Sequence, residues 1–161
     1  MNLEIKKLHV CCFLGHREIN ETEELKQRLY SVIEDLILKE KVDTFLFGSK
    51  SRFNGLCYET VSKIKEKYPN IKRIYVRAEF PNIDQNYKEY LLENYEDTYY
   101  PEKAIGAGRA AYVQRNYEMI EKSQFCVVYF CENNFPKNRK SGTKIALDYA
   151  VRKNKKIILL P

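Results

Sequence analysis

Apolar positions in this chain alternate between two patterns. Short uninterrupted runs, LHVCCFLG (8–15), TFLFG (44–48), KRIYVRA (72–78), QFCVVYF (124–130) and KKIILLP (155–161), have the length and the β-branched or aromatic content of strands. The first is apolar almost throughout, as suits a strand covered on both faces. Between the runs, apolar residues recur at helical spacing. Leu25, Leu29, Ile33, Leu36 and Ile37 trace one face of a helix that Asn20 or Thr22 can cap and that ends near Glu40. Leu56, Val61 and Ile64 predict a second helix over 54–68, closed by Pro69 and Asn70. GRAAYVQRNYEMIEKS (108–123) predicts another, and KSGTKIALDYA (140–150) opens a last one. From 79 to 108 the pattern weakens. Pro81, Pro101 and the tyrosine-rich YEDTYYPE (95–102) show no clean period, which leaves only a short helix near 87–93 in an irregular excursion.

Strands separated by helices require a parallel sheet with crossover connections. The expected fold is α/β, a Rossmann-like doubly wound sheet of about five strands with helices on both faces. A length of 161 residues with 44% hydrophobic content supports one sizeable core and a single domain.

Composition narrows the setting. No apolar run reaches the roughly 18 residues of a membrane span, and MNLEIKKLHV lacks the features of a secretory signal, so the expectation is a cytoplasmic protein with no membrane partner. Of the five cysteines, Cys11, Cys12, Cys57, Cys126 and Cys131, four lie in apolar runs and read as reduced core thiols. The only histidines are His9 and His16, and no metal-ligand spacing is present, so neither metal nor other cofactor is expected. A net charge of +6 favours anionic partners. Much of the excess sits in Lys137, Arg139, Lys140, Lys144, Arg152, Lys153, Lys155 and Lys156, either as a solvated basic face or as a field serving a site.

Ligands of doubly wound sheets bind beyond the carboxyl ends of the strands. Three such ends carry a glycine beside donors: Gly15, His16 and Arg17; Gly48, Ser49 and Lys50; and Ser141, Gly142 and Thr143 at the start of the last helix. Close backbone approach, free N–H groups and positive charge are what a phosphate needs. Neither a Walker A motif nor G-x-G-x-x-G follows the first strand, which argues against P-loop nucleotide hydrolases and standard dinucleotide oxidoreductases.

CCFLGHR (11–17), DTYYPE (97–102), AGRAAYVQRNYEMI (107–120) and SGTKIALDYA (141–150) together resemble the SLOG superfamily of Rossmann-like nucleotide-binding domains, and within it the YpsA-like branch, over nearly the whole chain. That resemblance implies a nucleotide or nucleotide-derived ligand, and self-association. The superfamily includes Lonely-guy phosphoribohydrolases, which pair an arginine in R-K-x-x-M with a glutamate in G-G-x-G-T-x-x-E. Here Arg115 and Met119 match the first pattern with Asn116 in place of lysine, and Gly142 and Thr143 match the second, but the glutamate position is Ala146. A departing base leaves an oxocarbenium-like centre that a carboxylate stabilises, and alanine cannot do this. Asp148 lies about 200° around the helix from that position, leaving Glu59 and Glu132 as the carboxylates that could substitute. Ala146 and Ala150 also suit a helix laid closely on the sheet. Arg115 is favoured over Arg109 as the phosphate ligand, and Tyr100 and Tyr112 could stack on a base.

Three readings follow. The first is a nucleotide-binding or signal-sensing module without strong catalysis, using Gly15, His16, Arg17, Gly48, Ser49, Arg109, Arg115, Asn116, Ser141, Gly142 and Thr143. The second is a nucleoside 5′-monophosphate N-glycosidase using Glu59 or Glu132. The third is single-stranded nucleic-acid binding, suggested by the basic last quarter.

Overall fold

Residues 9–132 and 141–161 are described by a computed structural model of the chain. Strand β1 (Val10–Gly15) is buried from Val10 to Leu14, with Cys11 and Phe13 on one face and Cys12 and Leu14 on the other. Its near-continuous apolar sequence reflects helices on both sides. Helix α1 (Glu23–Lys39) starts at Thr22, whose side chain accepts from Leu25 N at 3.1 Å, and buries Leu25, Leu29, Ile33 and Leu36. Strand β2 (Thr44–Phe47) leads to helix α2 (Arg52–Lys65), capped by Ser51. Strand β3 (Lys72–Val76), helix α3 (Gln85–Asn94), strand β4 (Asp97–Tyr99), helix α4 (Ala111–Lys122), strand β5 (Phe125–Tyr129), helix α5 (Gly142–Arg152) and strand β6 (Lys156–Leu160) complete the order.

The six strands form one parallel sheet in the order β4-β3-β2-β1-β5-β6. The chain winds outward from β1 to β4, then returns to place β5 on the other side of β1. Helices α1 and α2 pack against Phe13, Phe45 and Phe47 on one face, and α4 and α5 against Cys12, Leu14 and Val128 on the other. Outward winding covers one face and the return covers the other, which is the doubly wound arrangement. The topological switch point lies between the carboxyl ends of β1 and β5.

The expected count of about five strands becomes six. The added strand, β4, falls in the tyrosine-rich segment read as irregular. It spans three residues at the sheet edge with only Thr98 buried, too short to establish a period. The short helix expected near 87–93 is α3, capped by Asp84. Leu8, placed in the first strand by its apolar character, lies outside the described residues. Among the described residues, no helix is long and apolar enough to cross a membrane.

Candidate functional site

At the carboxyl end of β2, Arg115 reaches up from α4 and donates through Nη1 to the carbonyl oxygen of Gly48. Its Nε donates to Asn116 Oδ1 at 3.1 Å, and its guanidinium lies 5.7 Å from the centre of the Tyr112 ring. The residue is only 4% exposed, yet no carboxylate comes within ion-pair distance of it among the described residues. Burial lowers its pKa from the ordinary value, while the hydroxyls of Tyr75 and Tyr112 and the carboxylate of Glu79 favour the charged form. A guanidinium remains charged throughout the range in which proteins fold, so this is a largely desolvated cation without a contacting counter-ion. Nη2 makes no hydrogen bond among the described residues and is not closed off from solvent.

Gly48 permits this approach. A Cβ there would stand 2.5 Å from Arg115 Cδ and 2.6 Å from Met119 Sδ. Its own N–H, however, donates to Asn54 Oδ1 at 3.3 Å, and Asn54 Nδ2 donates to Phe13 O at 3.2 Å, so one buried amide clamps the ends of β1 and β2. With both backbone groups engaged, Gly48 supplies space rather than an anion-binding donor. Ser49 Oγ lies 2.8 Å from Ser51 Oγ, and Ser51 caps α2. Lys50 Nζ pairs with Glu79 Oε2 at 3.2 Å, tying the β2 loop to the segment after β3.

At the switch point, the expected triplet separates into different roles. Gly15 sits beneath Phe53, where a Cβ would meet the ring at 2.3 Å; its need for glycine is a packing need. His16 is buried and accepts at Nε2 from Cys131 N at 2.9 Å, joining the end of β1 to that of β5, with Tyr129 and Phe130 against its ring. Burial holds its pKa below the ordinary 6.5. Arg17 is exposed, with no side-chain hydrogen bond among the described residues, and lines an open cavity of about 1160 Å³ together with Asn20, Thr22, Arg28, Tyr129 and Pro161. This cavity and Arg115 occupy the same sheet edge but are lined by different residues.

Beyond β3, buried Arg77 donates through Nη1 to Thr98 Oγ1 at 3.1 Å, through Nε to Phe80 O at 3.2 Å and through Nη2 to Pro81 O at 3.4 Å. The loop is thereby held with Phe80 exposed and edge-on to Tyr87, their centroids 6.4 Å apart. Tyr75 lies in the field of Tyr87, Arg115, Glu79 and Lys50, and burial raises its hydroxyl pKa. Asn54, Tyr75, Arg77 and Phe80 had no sequence signal tying them to the site, because their roles depend on contacts across strands or on a loop folding back.

Ser141 Oγ accepts from Lys144 N at 3.0 Å and caps α5; Gly142 is exposed, with nothing among the described residues within 4 Å of where a Cβ would stand, and Thr143 is buried. Ala146 is 1% exposed and packs with Ala150 in the core beneath α5, so position 146 faces the sheet rather than its open edge. Asp148 pairs with Lys144 at 3.1 Å. Of the proposed carboxylates, Glu59 is exposed and held by Arg52 at 3.1 Å, and Glu132 is exposed after β5. Arg109 is exposed in the 3-10 turn before α4. Lys137, Arg139 and Lys140 lie outside the described residues. Arg152 and Lys153 cover the Tyr149 ring, and Lys156 covers Phe125, at the end of α5 and the start of β6. Strand β6 begins there, so these cations stand at the amino edge, opposite the candidate site.

Among the described residues, no cluster of three or more His, Cys, Asp or Glu side chains is placed to hold a metal ion. In comparison with known proteins, the chain matches no family model and no curated protein.

Proposed function

We propose that the carboxyl edge of the sheet binds a nucleotide or nucleotide-derived molecule by its phosphate, and that the protein acts as a binding or sensing module of SLOG type, YpsA-like, working as a cytoplasmic homodimer. The observation that carries this reading is Arg115: a buried guanidinium, fixed at two donors by Gly48 O and Asn116 Oδ1, with no contacting carboxylate among the described residues and a third nitrogen not closed off from solvent. A phosphate would supply the missing counter-charge in a partly desolvated setting, where charge-assisted hydrogen bonds are strong. Ser49 and Lys50 adjoin the anchor, and Ser141, Gly142 and Thr143 begin a helix on the same edge.

Binding is favoured over N-glycosidic cleavage because position 146 faces the core and Glu59 is engaged by Arg52. Calorimetric titration with AMP, ADP, cyclic nucleotides and ADP-ribose tests the reading. Saturable binding that Arg115→Met weakens at least about ten-fold is the expected result, from the strength of charged hydrogen bonds. Absence of binding at millimolar ligand would exclude it, and release of free base from AMP would replace it with the enzymatic reading.

A further inference from the structure

We infer that Phe80 and Tyr87 form a shelf for the base of the ligand, so that a nucleotide lies with its phosphate at Arg115 and its base against the loop after β3 and the first turn of α3. This rests on the reading of Arg115 as the phosphate anchor and adds the part of the ligand that the anchor does not address.

The first observation is the immobilisation of an exposed aromatic. Phe80 is 53% exposed. A loop tip carrying Phe80, Pro81 and Asn82 would ordinarily be among the more mobile parts of a domain. Here a buried arginine directs two of its nitrogens to the carbonyls of Phe80 and Pro81, while its third holds Thr98 on the edge strand. The ring rests edge-on against Tyr87, at an interplanar angle of 83°. Tyr87 is itself fixed by its N–H, which donates to the Asp84 cap at 2.8 Å, and it stacks on Tyr90 at 6.2 Å. A preorganised aromatic surface of this kind binds a planar group with little further loss of conformational freedom.

The second observation is the connection between shelf and anchor. Gly48, which accepts from Arg115, is two residues from Lys50; Lys50 pairs with Glu79; and Glu79 precedes Phe80. Loop and anchor thus meet through one ion pair. Lys50 and Glu79 neutralise each other within that link, whereas Arg115 has no contacting carboxylate among the described residues, so the ligand class is an anion carrying an aromatic ring. Tyr75 is in electrostatic reach of Arg115, Tyr87 and Lys50.

Titration of the full chain with AMP, GMP, CMP and UMP beside ribose 5-phosphate separates shelf from anchor. The best nucleotide should bind more tightly than ribose 5-phosphate. Phe80→Ala and Tyr87→Ala should weaken that nucleotide by about ten-fold, the usual effect of removing one base-stacking ring, with ribose 5-phosphate unchanged. Tyr87→Phe should retain the nucleotide affinity. Equal binding of nucleotide and sugar phosphate, or alanine variants that leave the nucleotide unaffected, would overturn the shelf while leaving the anchor standing. Failure of both ligands to bind would overturn anchor and shelf together. Tight, steeply salt-dependent binding of an oligodeoxyadenylate that the same alanine variants abolish, with no binding of the mononucleotides, would replace the proposal with single-stranded nucleic-acid binding.

Discussion

Arg115 holds the carbonyl of Gly48 from below the sheet edge, in space that exists only because residue 48 has no Cβ. The substitution Gly48→Ala would bring a methyl group to 2.5 Å from Arg115 Cδ. Arg115 and Met119 meet it with the outer parts of flexible side chains, so the fold should yield at a cost of about 1–2 kcal/mol, towards the low end for overpacking. The guanidinium, however, must leave its carbonyl. Urea unfolding should show that modest loss, while phosphate-ligand titration shows a disproportionate loss of affinity.

Gly15→Ala should behave in the opposite way. The added methyl would stand 2.3 Å from Phe53, a fully buried ring in the first turn of α2 with no open space into which to swing. A loss of about 3 kcal/mol or more is expected from overpacking of a rigid core contact. Denaturation measures it directly, and ligand affinity per folded molecule should change less than in the Gly48 variant.

Ala146→Glu tests whether the Lonely-guy glutamate can be restored. Position 146 lies in the core between α5 and the sheet, so a carboxylate there would be buried without a partner. We expect destabilisation by several kcal/mol, in the range of an uncompensated buried charge, and no release of base from AMP. A well-folded variant with glycosidase activity, seen by chromatography, would show that the helix can rotate its face to the site.

His16 sets an acid limit. Its pKa in the folded chain is depressed from 6.5 by burial, which outweighs a backbone hydrogen bond at Cys131 that favours the charged ring. The unfolded chain therefore takes up the proton first. The contribution of His16 to stability is complete above about pH 6.5 and is lost as the pH falls through and below that value. Urea midpoints measured from pH 8 to pH 5 should fall more steeply in the wild type than in His16→Gln, which keeps an acceptor but does not titrate.

The alternation of strands and helices was legible because each element that shaped the fold carried a strong period: β1 is apolar on both faces, and α1 shows Leu25, Leu29, Ile33 and Leu36 at regular spacing. Strand β4 was not, since a three-residue edge strand with one buried side chain leaves no pattern. At the site, Gly15 and Gly48 read alike in sequence, each ending a strand before a donor. Only packing distinguishes them: one lies under a phenylalanine, the other over an arginine. Arg77 could not be assigned from sequence, because nothing in the order of residues reveals that its donors return to Phe80 and Pro81.

The pairing of β1 with β5 joins Cys12 to Cys126, across 114 residues of chain. The strand that anchors the switch point thus acquires its second neighbour only after three other strands have formed or passed. Long-range parallel pairing of this kind is slow, because the entropy of closing so large a loop precedes the contacts that reward it. During synthesis, one edge of the VCCFL stretch stays open until Phe125–Tyr129 emerges. Chains shortened before that point should therefore aggregate through β1, even though their first strands and helices are intact.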